Sequence, residues 1–283
     1  MIFKKGLTAL AAIGLALLAL LPIQPATAQA PTTAPTQSAT SSQVKPTIVL
    51  VHGAWADGSS WAPVSAILQA HGYSVLVPPN PLRGLSSDAA SISAFIQQAT
   101  TGPVVLVGHS YGGAVITNAA TSTPTVKALV YVDAFAPAQG QTLGQIIGGS
   151  TSALNVPDPT TVFNVVADPN SPAGDGDLYL KPSTFNSAFA QDLPRAVRNI
   201  LSPAQRPLAV GANLESSGTP AWAAIPSWFV VGTADKVIPQ TTQLQMAAAA
   251  GGQVTKVNAS HLSLLSKPLQ VAQVITQAAH TVH

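Results

Sequence analysis

Val104 to Gly108 is a run of five residues without a polar side chain, and it leads directly into His109-Ser110-Tyr111-Gly112-Gly113. A strand with no polar alternation is covered on both faces, which is the situation of a parallel strand with helices packed above and below it. The residues from Gly112 to Ala120 have helix-compatible composition, so the serine sits where a strand turns into a helix. Glycines two residues before and two after it remove the Cβ atoms that would crowd the neighbouring strand and helix. Ser110 is thereby expected to project from the end of the strand as a nucleophile.

The rest of the chain repeats this alternation. Thr47 to His52, Tyr73 to Val77, Val104 to Gly108, Ala128 to Asp133, Trp228 to Gly232 and Gln253 to Val257 read as strands. Trp61 to Gln69, Asp88 to Thr100, Gly112 to Ala120, Gln240 to Ala250 and Pro268 to Ala279 read as helices between or after them. This order predicts an α/β fold with a mostly parallel, doubly wound sheet over residues 46–283. Between about 136 and 226 the alternation stops, and prolines, glycines and aromatic residues follow no regular period. An insertion accounts for that, either covering a pocket at the carboxyl edge of the sheet or forming helices packed on the sheet.

Residues 1–28 carry Lys4 and Lys5, an apolar run from Leu7 to Leu21, and Ala26-Thr27-Ala28. Those are the three parts of a secretory signal with cleavage expected after Ala28. The apolar run ends at Pro22, short of the roughly 20 residues that span a bilayer, so no stable membrane anchor is expected. Export to the periplasm or the medium follows. Residues 29–45 are almost entirely Ala, Pro, Thr, Ser and Gln and are expected to form a disordered linker.

Only 8% of the chain is charged, with 12 basic and 10 acidic residues, and two of the basic ones are Lys4 and Lys5. No basic stripe is left to follow a phosphate backbone, so nucleic acid is not expected as a partner. The absence of Cys removes disulfides, thiolate metal sites and cysteine nucleophiles. No phosphate-binding loop and no H-E-x-x-H sequence occurs, so no metal and no cofactor is expected.

A serine needs a base. Of six histidines, His71 stands at a helix end, His280 and His283 at the terminus, His109 beside the serine and His52 at the end of the first strand. His261 follows the last strand and completes the chain order Ser, acid, His. Asp235, after the strand Trp228 to Gly232, is the favoured acid, and Asp133 at the end of the fourth strand is its competitor. The oxyanion formed during acyl transfer needs two N–H donors. Tyr111 is expected to supply one and Ala54 the other, with Trp55 as second choice beside it. Trp55, Phe135 and Leu262 are the candidate substrate contacts, and Arg195, Arg198 and Arg206 are competing ones.

Val49-Leu50-Val51-His52-Gly53-Ala54-Trp55, Gly108 to Gly113, Tyr131 to Phe135, Thr233 to Pro239 and Ser260-His261 together resemble the α/β-hydrolase family. The likeness is to the branch of plant methyl-ester esterases, hydroxynitrile lyases and bacterial esterase-like members, and it extends from Pro46 to the C-terminus. It implies Ser110 as nucleophile, His261 as base, Asp235 as acid, Ala54 and Tyr111 as oxyanion donors, and a mainly helical cap in the insertion. The lyases of that branch are similar but have threonine where Gly53 stands and lysine where Leu262 stands. An aspartate in place of Ser110 would point to epoxide hydrolases or haloalkane dehalogenases. The expected reaction is cleavage of a small, apolar, uncharged carboxylic ester through an acyl-enzyme. A hydroxynitrile lyase-like reaction and a noncatalytic ligand-binding role are the alternatives.

Overall fold

The computed structural model describes residues 45–169 and 175–282. The expected signal segment, and all of the expected linker but Lys45, lie outside the described residues.

Among the described residues there are nine strands: β1 (Thr47–Val51), β2 (Val75–Leu76), β3 (Val104–His109), β4 (Val126–Val132), β5 (Phe163–Ala167), β6 (Gly176–Leu180), β7 (Leu208–Ala209), β8 (Ser227–Gly232) and β9 (Gln253–Val257). Six of them form one sheet in the order β2-β1-β3-β4-β8-β9, with every pairing parallel. The helices Ala62–Ala70, Leu85–Ala99, Tyr111–Ala119, Gln240–Ala249 and Pro268–His280 connect or follow these strands. The chain thus has the α/β architecture that its alternation predicts. β3 is buried at all six positions, as a strand covered on both faces must be.

Two boundaries differ from the expectation for local reasons. β2 is only two residues long, because Gly72 turns the chain with φ +77° before it and Pro78-Pro79 follow it without N–H donors. β4 begins two residues early, since the exposed Lys127 interrupts its apolar pattern without leaving the strand.

The insertion between β4 and β8 is mainly helical, as expected. It carries the short helices Leu143–Gly148, Arg195–Leu201 and Val210–Leu214, and also an antiparallel sheet in the order β5-β6-β7. β6 alternates buried and half-buried residues over Gly-Asp-Leu-Tyr-Leu, a period-two pattern that is short enough to be lost among turn residues.

Parallel register brings the carboxyl ends of the central strands together. Val51 pairs with Gly108, His109 with Val132, Val132 with Val230 and Gly232 with Val257. The segments that follow these ends therefore share one edge. The turn after β3 is packed to backbone contact. A Cβ on Gly112 would lie 2.5 Å from Val51 O and 2.9 Å from His52 O, and one on Gly108 would lie 2.5 Å from Gly112 O. Neither neighbour is a side chain that can rotate away. Gly112→Ala is expected to destabilise the protein by about 3 kcal/mol, read as a lower urea midpoint. A loss below about 1 kcal/mol would mean that the turn can yield.

Candidate active site

Ser110 has φ 53° and ψ −123° and is 2% exposed. A positive φ at a residue with a Cβ costs free energy and persists only where the surroundings enforce it. Here β3 enters from below, and the buried helix Tyr111–Ala119 leaves above. Ser110 O accepts from Gly113 N at 3.0 Å and from Phe135 N at 3.1 Å, which ties the turn to the segment after β4.

The structure brings Ser110, His261 and Asp235 together in one hydrogen-bonded row. Ser110 Oγ lies 2.8 Å from His261 Nε2, and His261 Nδ1 lies 2.8 Å from Asp235 Oδ2. A carboxylate oxygen only accepts, so Nδ1 carries the imidazole proton and Nε2 is left to accept from the serine. Asp235 Oδ1 accepts from Val237 N at 2.8 Å and Ile238 N at 3.0 Å, and Oδ2 accepts from Gln243 Nε2 at 2.8 Å. Burial pushes the Asp235 carboxyl well above the usual range, against these same N–H donors. Four donors on two oxygens leave no position for a proton, so the packing accommodates the carboxylate.

Asp133 is equally buried but lies elsewhere in the network. Its Oδ1 accepts from Gly232 N at 2.8 Å and its Oδ2 from Ser263 N at 3.2 Å. It joins the end of β8 to the segment after His261, and Asp235 holds the hydrogen bond to the imidazole. Burial raises the Asp133 carboxyl well above the ordinary carboxylate range, and the nearby Asp235 adds to this.

The rings of His109 and His52 have structural partners. His109 Nε2 donates to His261 O at 2.9 Å from a fully buried ring. His52 Nδ1 donates to Gly53 O at 2.9 Å, and its Nε2 accepts from Asn80 N at 3.0 Å, which orders the segment after β2. His71 is exposed at the end of helix Ala62–Ala70.

A cavity of about 240 Å³ opens at Ser110. Ala54, Trp55, Tyr111 and Phe135 line it with residues of the insertion such as Leu143, Phe163 and Leu208. Its ionisable side chains are confined to Tyr111, whose hydroxyl donates to the buried Asp88 Oδ2 at 2.8 Å. Asp88 and burial together raise the Tyr111 phenol. Arg195, Arg198 and Arg206 lie outside this lining. Leu262, expected as a substrate contact, lies instead on a second cavity of about 50 Å³, beside Phe185 and Phe189. The reason is directional: the residue after His261 is turned away from Ser110 when the imidazole points toward it.

Gly53 lets the segment after β1 approach the serine, since a Cβ there would lie 2.6 Å from Ser110 Cβ. Trp55 N donates to Arg206 O at 2.8 Å, so that N–H is already committed, while Ala54 and Tyr111 both border the cavity. Trp55 has φ 59°, its Nε1 donates to Leu178 O at 2.8 Å, and its ring packs 5.7 Å from Phe163 and 5.8 Å from Phe189. Three participants escape a reading of sequence alone: Gln243, Phe189 and His109's contact to His261 O. Gln243 is 1% exposed on a helix whose apolar face is weak, and only a buried amide in such a helix could have signalled it. Phe189 covers the imidazole at 5.1 Å. Among the described residues, no group of three or more His, Asp or Glu is placed to hold a metal ion.

A family model described as "Alpha/beta hydrolase family" matches residues 48–274. A carbendazim hydrolyzing esterase of Nocardioides sp. (strain SG-4G) is 36% identical over 152 residues, which are 42% of this chain and 63% of that esterase. The match therefore spans a little under two thirds of that relative's length. A pyrethroid hydrolase of Sphingobium wenxiniae is 27% identical over 252 residues, covering 82% of this chain and 87% of its own. The crystal structure of polyneuridine aldehyde esterase superimposes with a TM-score of 0.69 at 18% identity, covering 83% of this chain and 99% of that one. At that identity the likeness is one of fold.

Two outcomes follow from the row of hydrogen bonds. Burial pushes the His261 imidazole below its ordinary value of 6.5, to about 3. A base acts in its neutral form, so activity is lost only as pH falls through this lowered value, and the acid limb of kcat/KM is expected below pH 6.5. A limb at or above 6.5 in a pH-rate profile would contradict it. Gln243→Met keeps the length of the side chain and removes the donor to Asp235. It is expected to lower kcat about ten-fold, equivalent to roughly 1.4 kcal/mol, in a steady-state assay.

Proposed function

The chain belongs to the alpha/beta hydrolase family, and from that membership we propose that it is a serine esterase acting on small, apolar, uncharged carboxylic esters. The observation that carries this reading is the pair of 2.8 Å contacts linking Ser110, His261 and Asp235 beside a cavity bordered mostly by apolar side chains. The relatives named esterase and hydrolase support the same chemistry.

In this mechanism the ester enters the cavity with its carbonyl carbon above Ser110 Oγ. His261 Nε2 takes the hydroxyl proton as Oγ attacks, and the Nδ1 proton stays on the imidazole, now held as a cation by Asp235. Negative charge develops on the carbonyl oxygen, where Ala54 N–H and Tyr111 N–H receive it. Two fixed donors in a site shielded from water supply several kcal/mol at this step. His261 then returns the proton to the leaving alcohol, and Ser110 is left acylated. Water, deprotonated by the same imidazole, attacks the acyl carbon and restores the hydroxyl. Trp55 and Phe135 border the substrate, and no cofactor takes part. Residues 1–28 act as an export signal and 29–45 as a spacer, so that the enzyme works outside the cytoplasm. Among the described residues no helix is long and apolar enough to cross a membrane.

Ser110→Ala and His261→Ala are each expected to lower turnover of p-nitrophenyl acetate by about a thousand-fold or more. A fluorophosphonate is expected to label the parent and not Ser110→Ala. Turnover within two-fold of the parent in either variant would overturn the mechanism.

A further inference from the structure

The insertion reaches the segments that carry the acid and the base through two adjacent residues, Gln191 and Asp192. Asp192 Oδ2 accepts from Ser260 N at 2.9 Å, and its Oδ1 accepts from Ser260 Oγ. Both oxygens are thus committed to the residue immediately before His261. Gln191 Nε2 donates to Ala234 O at 2.7 Å, on the residue immediately before Asp235. Ser260 is fully buried, and its neighbour Ala259 is 1% exposed. The backbone at 259 and 260 lies against Gly232, where a Cβ would meet both carbonyl oxygens at 3.0 Å.

We propose that Asp192 is a positioning residue for His261, holding Ser260 so that the imidazole stays in line between Ser110 and Asp235. The proposal rests on the esterase reading of that triad and adds to it a residue from the insertion. Two anchors then flank the imidazole along the chain. Asp192 grips the residue before it, and His109 Nε2 donates to the carbonyl of His261 itself at 2.9 Å. A shift of the backbone at 260–261 that would carry the ring out of line with Ser110 breaks hydrogen bonds to a carboxylate, which are stronger than those between neutral groups. The insertion thereby takes part in aligning the base besides walling the cavity.

The test uses the full chain with p-nitrophenyl acetate as substrate, and Ser110→Ala as control. Asp192→Ala is expected to lower kcat by about ten- to a hundred-fold with KM within about two-fold, because a small misplacement of a reacting group is costly in rate. Asp192→Asn is expected to recover most of kcat, since its carbonyl can accept from Ser260 N while its amide donates to the amphoteric Ser260 hydroxyl. Adding Ser260→Ala to Asp192→Ala is expected to cost little more, the two acting as one unit. If Asp192→Ala does not fold, Ser260→Ala alone carries the same reading of kcat against KM. The proposal is overturned if kcat in the folded variant stays within two-fold of the parent, if the loss lies wholly in KM, or if Asp192→Asn is no better than Asp192→Ala. Turnover within two-fold of the parent in Ser110→Ala would instead overturn the esterase reading itself.

Discussion

Ser110 Oγ and His261 Nε2 lie 2.8 Å apart although 151 residues separate them along the chain. Nothing local to either residue produces that distance, and two independent constraints meet to set it. One is the parallel register of β1, β3, β4, β8 and β9, which places five successive carboxyl ends on one edge. The other is the tight turn after β3, where backbone contacts at Gly108 and Gly112 admit no Cβ and hold Ser110 at positive φ. Register alone would bring the segments near each other, and the turn alone would expose a serine with no partner. The strain at Ser110 persists because both are enforced by buried backbone hydrogen bonds and a packed core.

The electrostatics follow from the same burial. His52, His109 and His261 are all fully buried, and burial lowers the basicity of each. Each is held in one tautomer by the group at one ring nitrogen: a carbonyl for His109 and His52, a carboxylate for His261. His261 differs from the others in having its second nitrogen aimed at a hydroxyl. Phe189 packs 5.1 Å from the imidazole, and Trp55 packs 5.8 Å from Phe189 in turn.

What was legible in the chain was whatever a local pattern encodes. The apolar run of β3 and its glycine-flanked serine declare themselves within ten residues, and so do the runs of β1, β8 and their neighbours. His261 and Asp235 were readable at one remove, from their order after Ser110. Asp192 and Gln243 carry no such mark. Asp192 accepts twice from Ser260, 68 residues along the chain, and Gln243 donates to Asp235 Oδ2 and Ile238 O, contacts that no local pattern announces. The second sheet was missed for another reason: β5 is exposed along most of its length, so its valines at 165 and 166 follow no buried face. Leu262 is adjacent to His261 in the chain, yet it borders a different cavity from Ser110, because neighbouring side chains diverge.

The insertion is where these contacts accumulate. Arg206 O and Leu178 O hold Trp55 on the segment after β1. Ser152 Oγ donates to Val237 O at 2.7 Å and Ala153 N to Lys236 O at 2.8 Å, on the segment that bears Asp235. Asp192 holds Ser260 beside His261. The segments after β1, β8 and β9 are therefore each tied to one inserted body. Each such bond is worth about 0.5–1.5 kcal/mol net, and raising the insertion as a unit would break them together and expose the aromatic residues over the imidazole. A cover bound in this way walls the cavity beside Ser110.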